Sequence, residues 1–240
     1  MAINLPGELS WVLNMLGYDW PEIDEDELRI AAGYVRDFEA DLEALLQKVD
    51  DEVNEGLGRA LETGAGKSMM DAWSDNRNDN MNKLLSLLGP GAEGMEILSD
   101  AIEALKLKVI AELVITAAQI AAAIATAAFT FGLSAAANVA IIAARKKVLT
   151  FIVNVAIERI IITVMTIFEE EIASGAATLI GRILDAPVTK GFAGDPGSYK
   201  ADLAALEQVT ADMDATADDF ESISEDFGSK MNSLEIFTGI

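Results

Sequence analysis

The 240-residue sequence contains neither cysteine nor histidine. Disulfides, thiolate nucleophiles, imidazole general bases and the common zinc-ligand sets are excluded together. Proline is confined to positions 6, 21, 90, 187 and 196, which leaves room for long helices between the breaks. Cations are scarce: 17 Lys and Arg stand against 40 Asp and Glu, a net charge of -23. Nucleic-acid binding needs clustered cations facing phosphates, so this balance argues against it, and equally against passive adsorption to anionic lipid. The first twenty residues have no basic stretch and no small-residue cleavage site, so they do not read as a secretory signal peptide.

What the chain has in quantity is apolar length. From Val109 to Ala144 the sole ionisable residue is Glu112, and 14 of the 28 residues from Ala117 to Ala144 are alanine. After Arg145-Lys146-Lys147 a second apolar run extends from Val148 to Phe168. Charge is segregated to match: residues 1–104 hold 7 basic and 23 acidic side chains, 105–190 hold 8 and 6, and 191–240 hold 2 and 11. The block is long enough to span a membrane, and the basic knot fits the cytoplasmic turn of a hairpin. Its bulk is alanine, however, and Asn154, Glu158 and Arg159 fall near the middle of the second run. A charge there costs about 2.5–3.5 kcal/mol on the insertion scale. The expectation is therefore a buried central helix pair, with Ala121, Ala125 and Ala128 shielded from solvent. The competing expectation is an insertion segment using Leu113, Ile120, Ile124, Phe129 and Phe131.

Periodicity is helical throughout. In the segment from Glu8 to Leu16, residues Leu9, Val12, Leu13 and Leu16 share one face, and Gly17 and Pro21 end it. Asp24 and Glu27 have the spacing of a capping box. Leu28, Ala31, Val35, Phe38, Leu42, Leu45 and Val49 then alternate steps of three and four, a seam continued by Val53, Leu57 and Leu61. A less regular segment containing Trp73 is expected between Gly64, Gly66 and the asparagines 76, 78 and 80. Helix should stop at Gly89-Pro90-Gly91 and resume near Glu93. Two long helices follow, about 93–131 and 135–184, with Gly132 and Gly175 as turns or kinks. After a loop from Pro187 to Ser198, the last helix opens at Asp195-Pro196 or Ser198. It carries a second seam through Leu206, Val209, Met213, Phe220, Ile223, Phe227, Met231 and Leu234.

Motifs for chemistry are weak. Gly64-Ala65-Gly66-Lys67-Ser68 ends like a phosphate loop, but the glycine needed five positions before Gly66 is Leu61, and a helix precedes it in place of a strand. The acidic groups at 24–27, 50–52 and 169–171 lack the oxygen spacing of a calcium loop and read as solvated faces. No pair of carboxylates is singled out for acid-base work.

The run from Pro6 to Pro21, Pro-Gly-Glu-Leu-Ser-Trp-Val-Leu-Asn-Met-Leu-Gly-Tyr-Asp-Trp-Pro, followed by Asp24-Glu25-Asp26 and Leu28, resembles the opening of an actinobacterial domain. That domain is the Trp-x-Gly-like amino-terminal domain of polymorphic toxins exported by type VII secretion, the group of CpnT-type channel and necrotizing-toxin proteins. The tryptophan near position 73 and the Ala-rich helix pair fit the same layout. At Trp73-Ser74-Asp75 an aspartate stands where the family motif has glycine, and Tyr18 with Glu22 matches the Tyr-x-x-x-Asp/Glu export pattern in a loop near the start. The resemblance implies an all-helical export and delivery domain, with pore formation as a role proposed for some relatives.

The expected fold is all-α: an elongated bundle of long helices around a buried Ala-rich pair, in one domain of three parts, 1–90, 91–186 and 187–240. The expected function is non-catalytic export or adaptor work by helical contacts, without metal or cofactor, the alternative being an α-helical pore-forming domain. Partner or export residues are Trp11, Tyr18, Trp20 and Trp73, each tryptophan lying at or near an element boundary. Expected partners are small Trp-x-Gly-like helical proteins or the secretion machinery, with a toxin domain or a second copy as further candidates. A membrane enters only after a conformational change. Export from the cytoplasm to the envelope or beyond would then proceed without a Sec signal peptide.

Overall fold

The structure, a computed structural model, describes residues 2–61, 64–130, 134–174, 176–187 and 201–237. Among them there is no β-strand, and two isolated antiparallel bridges join Ile23 to Phe237 and Leu61 to Ala201. A 3-10 turn, Gly7–Leu9, leads into α1 (Ser10–Leu16), followed by α2 (Glu25–Asp51). A π-helical segment, Glu52–Leu57, passes into α3 (Gly58–Ala60), and α4 (Gly64–Asn76) passes through a second π segment, Arg77–Met81, into α5 (Asn82–Thr130). The chain continues with α6 (Ser134–Ser174), α7 (Ala176–Leu184) and α8 (Leu203–Asn232). The all-α expectation holds.

Helix ends follow local chemistry. Gly17, at φ 66°, caps α1 in the left-handed region where a side chain is strained, and its amide returns to the carbonyl of Asn14. The Asp24 carboxylate accepts the amides of Asp26 and Glu27, as an N-cap should, while its own N–H donates to the Ile236 carbonyl at 2.8 Å. In a full capping box Glu27 would take that last proton. Asp202 caps α8 through the amides of Ala204 and Ala205, so α8 opens at Leu203. The expected openings at Asp195-Pro196 and Ser198 lie outside the described residues, as do the turns at Gly132 and Gly175.

Two expected interruptions are absent. Trp73 sits inside α4, and the asparagine-rich stretch after it remains helical as a π segment. Side-chain amides there bond one turn apart, Asn78 to Ser74 and Asn80 to Asn76, which supports helix in place of a loop. Gly89-Pro90-Gly91 likewise does not stop the helix, because α5 runs through Pro90. An interior proline costs about 3 kcal/mol. Packing around it holds the helix: Ala92 and Gly94 are buried, and a Cβ on Gly89 would stand 3.5 Å from the Glu39 carboxylate.

Contacts group the chain into two compact units. The first comprises Met1–Ile30, Gly94–Ile167 and Glu235–Ile240, and the second Ala31–Glu93 and Phe168–Leu234. In the first, Val12, Leu13 and Leu16 of α1 close over Leu105, Val109 and Leu113 of α5 and Leu149 of α6. In the second, the two long seams meet. Val53, Leu57 and Leu61 pack with Val209, and the rings of Phe38 and Phe227 stack at 4.5 Å. A Cβ on Gly56 would lie 2.8 Å from the Val209 side chain, so glycine permits this approach.

The two seams therefore pack on each other, and one of the alanines expected to be shielded is not. Ala121 is exposed, and Ala125 and Ala128 have no described side chains. The reason is area: an alanine methyl gains roughly 0.8 kcal/mol on burial, a weak pull beside the Leu, Phe and Met of the seams. Adjacent residues of α5 test the faces of that helix, since Leu113 is 0 % exposed and Val114 52 %. Leu113→Ala should lower unfolding stability by about 2–5 kcal/mol in urea denaturation, and Val114→Ala by less than about 0.5 kcal/mol. Equal losses would mean that the helix is turned otherwise.

Candidate functional site

Helix α5 is apolar on two opposite faces within the first unit. Ile102, Leu105, Val109, Leu113, Thr116 and Ile120 point inward and are buried. On the other side Leu107, Ala111, Val114, Ala118 and Ala121 are exposed and recur in steps of four and three. This is the spacing of a helix-pairing seam, and its three alanines admit a close neighbour. Ile115 widens it, whereas Ile124, one turn beyond Ile120, is exposed at the end of the inner face. Glu112, the lone charge of the apolar block, is drawn aside: Arg145 of α6 donates to its carboxylate at 2.9 Å and to Gln119 at 3.0 Å. The stripe itself therefore carries no charge. The sequence reading missed it by treating apolar residues on every side of the helix as a sign of burial. The signal was there in the low amphipathicity of α5, which marks either a fully buried helix or one with a second face to fill.

The amino terminus of the same unit is pinned by a buried ion pair. Lys106 Nζ donates to Glu25 Oε2 at 2.6 Å and to the Ile23 carbonyl at 2.7 Å. The Ile3 amide donates to the other carboxylate oxygen, and Ser99 Oγ donates to the Glu25 carbonyl at 2.7 Å. Both charged side chains are buried. Trp20 stands beside the same ammonium, 5.9 Å from ring centroid to nitrogen. Next to it Arg29 bonds Asp100 at 2.8 Å and also Glu103, and these two carboxylates hold its guanidinium firmly charged.

The residues singled out from sequence separate into distinct settings. Trp11 is 48 % exposed on α1. Tyr18 packs on the first core with its hydroxyl bonded to that of Thr150, and Trp20 packs there too. Glu22 of the Tyr-x-x-x-Glu pattern is exposed in the segment between α1 and α2. Trp73 belongs to the second unit, half-buried against its core, with its indole N–H on Asp50 at 2.6 Å. Arg77 reinforces that link through Asp50 and Glu43. Of the proposed insertion segment, Leu113 and Ile120 are buried in the first core or beside it, and Ile124 is 59 % exposed. The side chain of Phe129 is not among those described, and Phe131 lies outside the described residues. Among the described residues no group of three or more Asp or Glu is arranged to hold a metal ion.

The described helices pack through apolar seams, and α5 carries one further apolar stripe that is exposed. The sequence model of the WXG100-like domain matches residues 4–146, more than half of the chain, and the chain belongs to that family. The match runs from before α1 into α6 and takes in the open seam and all three tryptophans. Such domains are helical and substrate-like for type VII secretion, generally non-enzymatic, exported without a Sec signal, and typically paired with helical-hairpin partners. No curated protein and no solved structure matches the chain.

The ion pair makes a testable link to pH. Burial pushes the Glu25 carboxyl up, but the bonds from Lys106 and the Ile3 amide and the charge of Lys106 together bring it below its ordinary value of 4.5. A carboxyl with a depressed folded pKa stabilises the fold above its unfolded value, and that contribution disappears as the pH falls through the folded value. Glu25→Gln leaves Lys106 buried without a counter-charge and should cost about 3–5 kcal/mol at pH 7. The gap between wild type and variant should then narrow as the pH drops below 4.5. Urea midpoints measured from pH 7 to pH 3 would refute the assignment if the gap stays constant.

Proposed function

We propose that this WXG100-like chain is the non-catalytic export and delivery domain of a type VII secreted toxin or related substrate, and that its open α5 seam receives a helix of a small WXG100-like partner. The observation that carries the reading is the uncharged stripe Leu107, Ala111, Val114, Ala118 and Ala121, exposed on a helix whose other face is already used. Apolar seams of this spacing are stabilised by a second helix, and the family pairs through helical hairpins. Trp11, Tyr18, Trp20 and Trp73 remain the proposed export residues. Trp11 offers the exposed ring that recognition at an interface favours. The resemblance of residues 6–28 to CpnT-type toxins supplies the toxin-delivery part of the reading, with the cell envelope or the medium as destination.

A second reading, membrane insertion, has its own observation. Val139, Phe151, Ile161 and Ile162 are exposed on α6, with Phe151 at 69 %, and among the described residues one helical run, Gly66–Ile124, is long and apolar enough to cross a bilayer. Against it, Leu113 and Ile120 are buried, so the first unit would have to open before that segment met lipid.

Val114→Glu and Ala118→Arg place charge on the stripe at exposed helix positions, where folding should be unchanged by circular dichroism. In a host with an intact type VII system both should cut export and co-purification of the partner at least tenfold. Normal export of both variants would overturn the docking reading. In liposome flotation the wild type should stay with the buffer fraction; flotation with release of trapped dye would put the channel reading first.

A further inference from the structure

The second unit contains a cavity of about 450 Å³, within the usual range of small-ligand sites. Val53, Leu57, Met69, Trp73, Met213 and Phe220 supply most of its apolar wall. Both π-helical segments border it, through Glu52, Val53 and Leu57 of the first and Met81 of the second. Such segments recur at functional sites because the wider turn displaces side chains from the α-helical register. The methionines give the wall an adaptable, polarisable surface.

Most polar groups at the cavity are already engaged. The Trp73 indole N–H is on Asp50, and the Asn76 amide oxygen accepts from Asn80 at 2.8 Å. Glu52 is the exception. Its Oε1 lies 2.8 Å from Thr216 Oγ1, whose single proton is also within reach of the Asp212 carbonyl at 3.0 Å. Its Oε2 is buried and has no hydrogen-bond partner, the one such side-chain atom found among the described residues. The nearby cation, Lys48, donates to Asp219 at 2.9 Å and interacts with the Glu52 charge without bonding its Oε2. A carboxylate oxygen taken from water without a donor is costly, and because Glu52 lines the cavity, a turn of its side chain toward a cationic donor there offsets the cost.

We infer that this cavity binds a small amphipathic cation, with an ammonium or guanidinium head on Glu52 and an alkyl or aryl body against the methionine and tryptophan wall. The surplus of acid in the chain favours the approach of such a ligand and disfavours anions. The site does not depend on the α5 seam or on type VII export, so either can fail without the other.

Calorimetric titration of the full chain at physiological salt, with n-octylammonium and with n-octanol as its neutral counterpart, tests the inference. Octylammonium should bind saturably, one per chain, and at least tenfold more tightly than octanol. Glu52→Gln should keep octanol affinity and abolish the tenfold preference, whereas Thr216→Val, which retains the carboxylate, should keep the preference. Ala217→Phe, filling the cavity from α8, should remove binding of both. Because Glu52→Gln alters one charge out of a net -23, adsorption to the acidic surface would survive it. Amine binding unchanged in Glu52→Gln or in Ala217→Phe overturns the inference. So does equal binding of amine and alcohol by the wild type, or no saturable amine binding at all.

Discussion

Lys106 is a cation on the buried face of α5, next to Leu105, and the course of the first twenty-five residues depends on the carboxylate that answers it. An ammonium of that kind is costly to desolvate and is tolerated only when its protons are taken up. Glu25 and the Ile23 carbonyl take them, which fixes the start of α2 against α5. Once Glu25 is held, the Ile3 amide and Ser99 have a fixed partner, and Asp24 is placed to cap α2 and to bond Ile236. Replacement of the pair by apolar residues of similar volume would keep burial but lose this register, because leucines attract without direction while the hydrogen bonds of an ion pair have one.

The same unit shows why α5 can be half buried. Its inner face presents Ile, Leu and Val to α1 and α6, and each large side chain gains roughly 1.5–3 kcal/mol from full burial. Its outer face is three-fifths alanine across the stripe from Leu107 to Ala121. Leaving methyl groups in water costs little, so the fold does not need that face covered. A partner helix gains from it all the same, because alanine lets two backbones approach and adds dispersion over many atoms. A face of small residues would thus suit the proposed association, since the fold does not depend on covering it.

Much of the helical architecture was legible in the residues. The α2 and α8 seams, the Asp24 cap and the Gly17 stop follow from spacing and from side-chain chemistry that acts within a few positions. What misled the reading were breakers and direction. Gly89-Pro90-Gly91 carries a strong local stop signal, yet packing around Ala92 and Gly94 overrode it, and nothing local encodes that packing. Trp73 looked like a residue of a turn because asparagines follow it, whereas bonds to Asp50 and from Arg77 to Glu43 made the stretch helical. The open stripe on α5 was invisible for a different reason: periodicity tells which residues share a face, but not which of two apolar faces a fold will use. Glu52 is similar, since one carboxylate among 40 acidic side chains shows its burial only in three dimensions.

The acidity of the chain resolves what an exposed apolar stripe would otherwise threaten. Seams of four-three spacing pair with themselves as readily as with a partner unless something opposes it. A net charge of -23 opposes it at close approach, since at physiological salt repulsion is largely screened beyond about 8 Å and is felt as two copies come nearer than that. A less acidic hairpin meets no such barrier, and a short-range apolar contact then decides the outcome. In the proposed docking, charge on the flanks and neutrality along the stripe would therefore act together: the first would select against the identical chain, and the second would leave the seam free for a helix of different charge.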